Sequence, residues 1–287
     1  MAEFASSGLV AKAVRRELGP ETDWRDVLAG FDCVVHLAAA AHEAAERFQV
    51  ARDYTSIRRV NALGTERLAR DAAAVGVRQF IFLSTIGVHG DENSGQPFTE
   101  DSPLAPRSFY ASSKLEAEVL LRRVASEMHL AVSVLRPTLV YGPGNRGNML
   151  RLLKILERRI PLPFAMANNR RSLTYVGNLV SAIAVAIAHP RAADTFIVCD
   201  ERPISTVGLL RELGGALGQQ PMLFPMPVNW LRFAARVTGY APTARRLLGS
   251  LEADCGKIQR VLGWRPPFGT ADGLACTAAW YKGLRGE

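Results

Sequence analysis

The chain has few cysteines and no motif among them. Cys33, Cys199, Cys255 and Cys276 are scattered through 287 residues with no Cys-x-x-Cys spacing. This argues against a zinc ribbon or a disulfide framework, and isolated buried thiols are the expected state. Long apolar runs are missing too. The best stretch, Leu179 to Ala188, falls short of a bilayer span. No apolar core precedes a cleavage site at the N-terminus, so a signal peptide is not expected, and the expected location is the cytoplasm. Internal repeats and low-complexity segments are absent. The formal charge is +8, but the basic residues are dispersed, mostly as pairs such as Arg15-Arg16, Arg170-Arg171 and Arg245-Arg246. Without a basic stripe or a recognisable module there is no case for nucleic-acid binding, and the field instead favours small anions. Glycine is sparse where it would matter most. Met1 to Lys12 holds one glycine, and no Gly-rich turn leads from a strand into a helix to cradle a phosphate. Gly142-Pro-Gly-Asn-Arg-Gly147 fits the spacing formally, but Pro143 has no N–H to offer, and no strand ending in an acid follows.

What is present is an alternation of apolar runs and helical patterns, the mark of an α/β fold with a parallel sheet and crossover helices. Strands are expected at Cys33–Leu37, Gln79–Leu83, Ala131–Arg136 and Thr195–Val198. Helices are expected at Arg59–Val75, Phe109–Met128, Met149–Arg158 and Asn178–His189, with an amphipathic helix from about Val228 that packs on its own lobe. The segment from Asp91 to Arg107 reads as a loop able to cover a site. The run Gln79 to Leu83 ends in Ser84 and Thr85, so a buried strand delivers two hydroxyls at its carboxyl end, where open α/β sheets bind ligands. In Phe109-Tyr-Ala-Ser-Ser-Lys114, Tyr110 and Lys114 fall one turn apart on one helix face. A phenol beside a fixed ammonium is a proton-transfer device, since the positive charge favours the phenolate.

Together with His36-Leu-Ala-Ala39, Asn61 with Gly64-Thr65, Leu135-Arg-Pro-Thr-Leu-Val-Tyr-Gly-Pro-Gly144, Asn169-Arg-Arg-Ser-Leu-Thr-Tyr-Val-Gly-Asn178 and Leu262-Gly-Trp-Arg-Pro266, these landmarks resemble the extended short-chain dehydrogenase/reductases of the nucleotide-sugar epimerase/dehydratase type. The match runs from about Glu17 to the C-terminus. Asn148 and Ile160-Pro-Leu-Pro-Phe164 near Arg170-Arg171 are most similar to bacterial surface-polysaccharide enzymes that epimerise or reduce UDP-linked 4-keto sugars.

The resemblance implies a Rossmann-like doubly wound parallel sheet, N-terminally shortened, with a smaller C-terminal substrate lobe. Residues 1–142 and about 172–200 would form the cofactor domain, and 143–171 with 201–287 the lobe. It implies NAD or NADP as cofactor, a UDP-sugar substrate and a possible homodimer. Thr85, Tyr110 and Lys114 would be catalytic. Glu17, Leu37, Ala38, Ala39, Asn61, Ser84, Tyr110 and Lys114 would meet the cofactor, and Thr85, Asn148, Arg171 and Arg245 the substrate. His36 is expected to be satisfied by backbone, and Asn178 to make a structural hydrogen bond. The implied reaction is epimerisation or reduction at C4 of a UDP-hexose. Dehydration is disfavoured, because Ile86-Gly87 stands where that branch carries an Asp-Glu pair. The missing Gly-rich turn leaves a cofactor-deficient family member as the alternative, and a ketone or steroid reductase of the same superfamily as the third reading.

Overall fold

Residues 79–83 are apolar except for Gln79, and in the computed structural model they form β2 (Gln79–Leu83), with Phe80, Ile81 and Phe82 all but inaccessible to solvent. Burial on both faces is what a central parallel strand requires. The structure describes residues 11–40, 54–93, 95–145, 147–189 and 192–284. The N-terminal segment searched for a Gly-rich turn therefore lies mostly outside the described residues, and so does Arg146 of the Gly142–Gly147 run. β2 pairs in parallel with β1 (Cys33–His36), His36 opposite Phe82, and with β3 (Ala131–Pro137), Leu83 opposite Leu135. β6 (Thr195–Val198) completes a four-stranded sheet of order β1-β2-β3-β6 among the described residues. Because β1, β2 and β3 are parallel and in register, their carboxyl ends share one edge.

The chain divides into two compact units, the first made of Met1–Val88, Ser108–Leu135 and Ile183–Phe196. In this unit α1 (Arg25–Leu28), α2 (Tyr54–Arg58), a π-helical stretch Arg59–Gly64, α3 (Thr65–Ala74) and α4 (Phe109–Met128) accompany the strands. One core joins Leu18, Trp24 and Leu28 to Leu68, Ala72, Phe80, Phe82, Ala117, Leu121 and Val124. Each large side chain of this kind contributes roughly 1.5–3 kcal/mol by leaving water. α4 begins where predicted because Ser108 Oγ accepts the Ala111 N–H at 3.1 Å, and it ends as His129 turns left-handed at φ 56°. The helix expected from Arg59 starts earlier, at Tyr54, and its middle is underwound into the π stretch.

The second unit comprises His89–Arg107, Arg136–Ala182 and Ile197–Glu287. It contains a parallel pair that the sequence did not reveal, β4 (Leu139–Tyr141) with β5 (Leu173–Tyr175). Its helices are α5 (Asn148–Glu157), the first part of α6 (Val176–Ala188), α7 (Thr206–Ala216), α8 (Val228–Val237), α9 (Ala241–Leu248), α10 (Gly256–Leu262) and α11 (Thr270–Gly283). Asp200 ties the β4–β5 pair together by accepting from Tyr141 Oη at 3.0 Å, the Tyr175 N–H at 2.8 Å and Asn178 Nδ2 at 2.7 Å. Asn178 is structural, as expected. Gly142 is needed for packing, with φ at 147° and a would-be Cβ only 2.4 Å from Val176. The covering loop expected at 91–107 is instead tied down within this unit. The Phe98 N–H donates to Glu252 O at 2.8 Å, and the Asn93 N–H to Ser250 O at 3.1 Å. The thiols are also not all isolated. Cys199 and Cys255 hydrogen-bond to each other, Cys33 is half-buried, and Cys276 is exposed.

Candidate active site

The site in the first unit is built on one face of α4. Tyr110, Lys114, Glu118 and Arg122 recur every fourth residue, so their side chains rise along one line. Lys114 is 1% exposed, with Nζ seated 4.0 Å from the centre of the Phe82 ring, a cation–π contact away from water. Burial pulls its pKa down to about 7, and the carboxylate of Glu118 opposes that fall. Glu118 is fully buried, accepts from Ser84 Oγ at 2.6 Å and pairs with Arg122 at 3.3 Å. Spacing revealed Glu118 only as one more charge on a helix; its burial marks it as the counter-charge to Lys114.

Tyr110 departs from the sequence expectation in one respect. Its pKa is raised, and burial is the cause. Taking a phenolate out of water costs more than a neutral phenol, while Lys114 holds its proton only weakly at neutral pH. The lysine does not lower the phenol's pKa in this structure.

The π-helical stretch supports the same turn of α4. Asn61 Oδ1 accepts the Ala40 N–H at 2.7 Å, and its Nδ2 donates to Ala40 O at 3.1 Å and to Ser113 Oγ at 3.0 Å. Ser113 Oγ in turn donates to Tyr110 O at 2.8 Å. Asn61 thus fixes both the end of β1 and the start of α4, and π stretches recur at such functional positions. His36 is satisfied by a side chain, not by backbone. Thr65 Oγ1 gives its one proton to Asn61 O at 2.7 Å, so the His36 Nε2–H must be the donor in its 2.9 Å bond to Thr65. Burial and then the Lys114 charge hold the His36 pKa down at about 3, so the ring is neutral.

At the carboxyl end of β2 the two hydroxyls part company. Ser84 is buried and committed to Glu118, whereas Thr85 is half-buried, its Oγ1 accepting only the Gly87 N–H at 3.1 Å. Leu37 and Ala38 are exposed and Ala39 half-buried at the end of β1. Glu17 lies on the wall of a cavity of ≈ 540 Å³ shared with Leu18, Gly19, Thr22, Arg59 and Val60.

The remaining predicted residues belong to the second unit. Arg171 donates to Gly249 O at 3.0 Å, and burial lowers its pKa. It lines an apolar cavity of ≈ 130 Å³ with Leu162, Phe164, Leu173 and Arg246. Arg245, the neighbour of Arg246 and the predicted substrate residue, does not line this cavity and is turned toward Glu92 at 3.8 Å. Asn148 opens α5.

A model of the NAD dependent epimerase/dehydratase family matches residues 5–199. The chain belongs to that family. It is 37% identical over 265 residues to a UDP-glucose 4-epimerase of Vibrio cholerae, covering 91% of this chain and 80% of that protein. It is 28% identical over 262 residues to the N-acetyl-alpha-D-glucosaminyl-diphospho-ditrans,octacis-undecaprenol 4-epimerase of Escherichia coli O157:H7, covering 86% and 76%. A dTDP-glucose 4,6-dehydratase from Streptomyces venezuelae, solved with NAD bound, superposes with a TM-score of 0.73 at 27% identity over 91% of this chain and 76% of that one. The fold is thus the Rossmann fold of the family's NAD-dependent enzymes. The residues present suit a dinucleotide, because the cavity wall carries a carboxylate and the strand ends carry small residues beside a buried lysine.

Proposed function

We propose that this epimerase/dehydratase family member inverts C4 of a UDP-hexose, in the synthesis of surface-polysaccharide precursors. The observation that carries the reading is the Lys114 ammonium, buried on Phe82 one helical turn beyond Tyr110. NAD, when bound, supplies the hydride acceptor. Glu17 would sit at its adenine end, Leu37 to Ala39 would border it, and Lys114 would hold the nicotinamide ribose.

The chain's own work is proton transfer and orientation. Tyr110 Oη takes the proton of the sugar's C4 hydroxyl and later returns it. Thr85 Oγ1 donates to the reacting oxygen and holds it in line. Asn61 positions the Tyr110 turn. Arg171 and Arg246 would grip the diphosphate, for which guanidinium forks are suited.

The test is interconversion of UDP-glucose and UDP-galactose by the purified chain with NAD, read by chromatography. Turnover in the parent, falling about 10²–10⁴-fold in Tyr110→Phe with an unchanged circular dichroism spectrum, is the expected result. A folded chain that binds NAD and converts neither these nor their N-acetylated counterparts would overturn the reading.

A further inference from the structure

Helix α8 has two apolar stripes where a surface helix normally has one. Val228, Leu231 and Ala235, spaced i, i+3 and i+7, are half-buried. Trp230, Phe233 and Val237 repeat that spacing on another face and are 73%, 68% and 72% exposed. No residue of α8 is buried, and the helix packs on α9. The exposed stripe continues into Tyr240 in the turn that follows, and Met222 and Phe224 stand exposed just before the helix. A single exposed apolar residue needs no explanation, but a contiguous patch that includes Trp, Phe and Tyr does.

The charge that α8 itself carries is of one sign. From Leu213 to Leu251 the chain contains no Asp or Glu, and Arg232 and Arg236 on α8 are basic. Arg232 and Arg236 are exposed and lie one turn apart, between the two stripes. This disfavours a second copy of the chain as the occupant, since a two-fold contact through α8 would set Arg232 and Arg236 against their own copies, and α8 carries no acid to separate them. It suits a surface that is apolar within and negative at its rim.

We propose that α8 and its turn into α9 dock the protein on an anionic lipid bilayer. The helix lies in the plane of the interface. Trp230, Phe233 and Val237 enter the acyl boundary, Tyr240 stays at headgroup depth, and Arg232 and Arg236 reach lipid phosphates. The helix lies on the membrane and does not cross it, and no described helix is long and apolar enough to cross one. The docking rests on α8 and its turn into α9 and uses none of the residues assigned to the reaction.

The experiment is flotation of the full chain with phosphatidylcholine vesicles, with and without phosphatidylglycerol, at low and high salt. Association that requires phosphatidylglycerol and weakens with salt is expected. It should fall at least about tenfold in affinity in Arg232→Glu/Arg236→Glu and be lost in Trp230→Ser/Phe233→Ser, with circular dichroism unchanged in both. Brominated lipid should quench tryptophan emission in the parent and fail to do so in Trp230→Phe. Three results would each overturn the proposal. They are no association at low salt, association that the variants leave intact, and a Trp230→Ser/Phe233→Ser variant whose only change is a smaller mass by light scattering, which would identify the patch as a contact between copies.

Discussion

Lys114 shows how a side chain proposed for catalysis can work against the fold that holds it. An ammonium with its pKa drawn down to about 7 by burial is proton-poor at neutral pH compared with the same lysine in an unfolded chain. Removing the charge relieves that penalty, so Lys114→Met is expected to raise the urea midpoint at pH 7 while reducing turnover by at least about tenfold. Glu118→Gln tests the same residue from the other side. Because Glu118 supports the protonated lysine, the amide lowers the Lys114 pKa further. Activity should then fall at pH 7 and recover partly at lower pH, where Lys114 regains its proton. An equal loss at every pH would reduce Glu118 to a packing role. Thr85→Val should lower kcat with little change in NAD binding, since its hydroxyl is asked only to hold the reacting oxygen.

At the scale of elements, the loop from β4 into α5 depends on one glycine. Gly142 combines φ 147° with a would-be Cβ 2.4 Å from Val176, so Gly142→Ala should cost about 1–3 kcal/mol in chemical denaturation. This position also shows what the sequence could convey. Its glycine spacing imitates a dinucleotide fingerprint, and Pro143 together with the lack of a following acid-ended strand was enough to reject that, but the reason for the glycine was a contact with Val176, a residue 34 positions later. β1, β2, β3, β6 and α4 were legible because apolar runs and helical spacing are local signals. β4 and β5 were not, because three residues carry no period and the pair is held by Asp200 from elsewhere in the chain. The π stretch left no mark either, since underwinding keeps the same residues and changes only their register. At the site, spacing pointed to Tyr110 and Lys114 and order to Thr85, while the partners that distinguish Ser84 from Thr85 and Arg245 from Arg246 are visible only in three dimensions, because neighbours in sequence point different ways.

For the whole molecule, the consequence is an unusual dependence of stability on pH, set by two groups in the first unit. The ordinary histidine value of 6.5 falls to about 3 at His36 in the folded chain. Between these limits the unfolded chain binds the extra proton, so the contribution of His36 is complete above pH 6.5 and is lost as pH falls toward 3. Lys114 falls from 10.5 to about 7, so its contribution is complete above pH 10.5 and is lost as pH falls toward 7. The two windows barely meet. Stability should therefore climb with pH in two steps, each worth at least about 1.4 kcal/mol, the value of a one-unit displacement. Denaturation midpoints at pH 4, 6, 7.5 and 9.5 read both steps. Lys114→Met should flatten the alkaline step and leave the acid one, and His36→Asn should weaken the acid step and leave the alkaline one. Carboxylates titrate in the acid window as well, so the difference between parent and His36→Asn is the quantity that isolates the histidine. If Lys114→Met keeps the full alkaline rise, then Lys114 retains its proton in the folded chain, and the case for a weakly protonated lysine beneath Tyr110 fails with it.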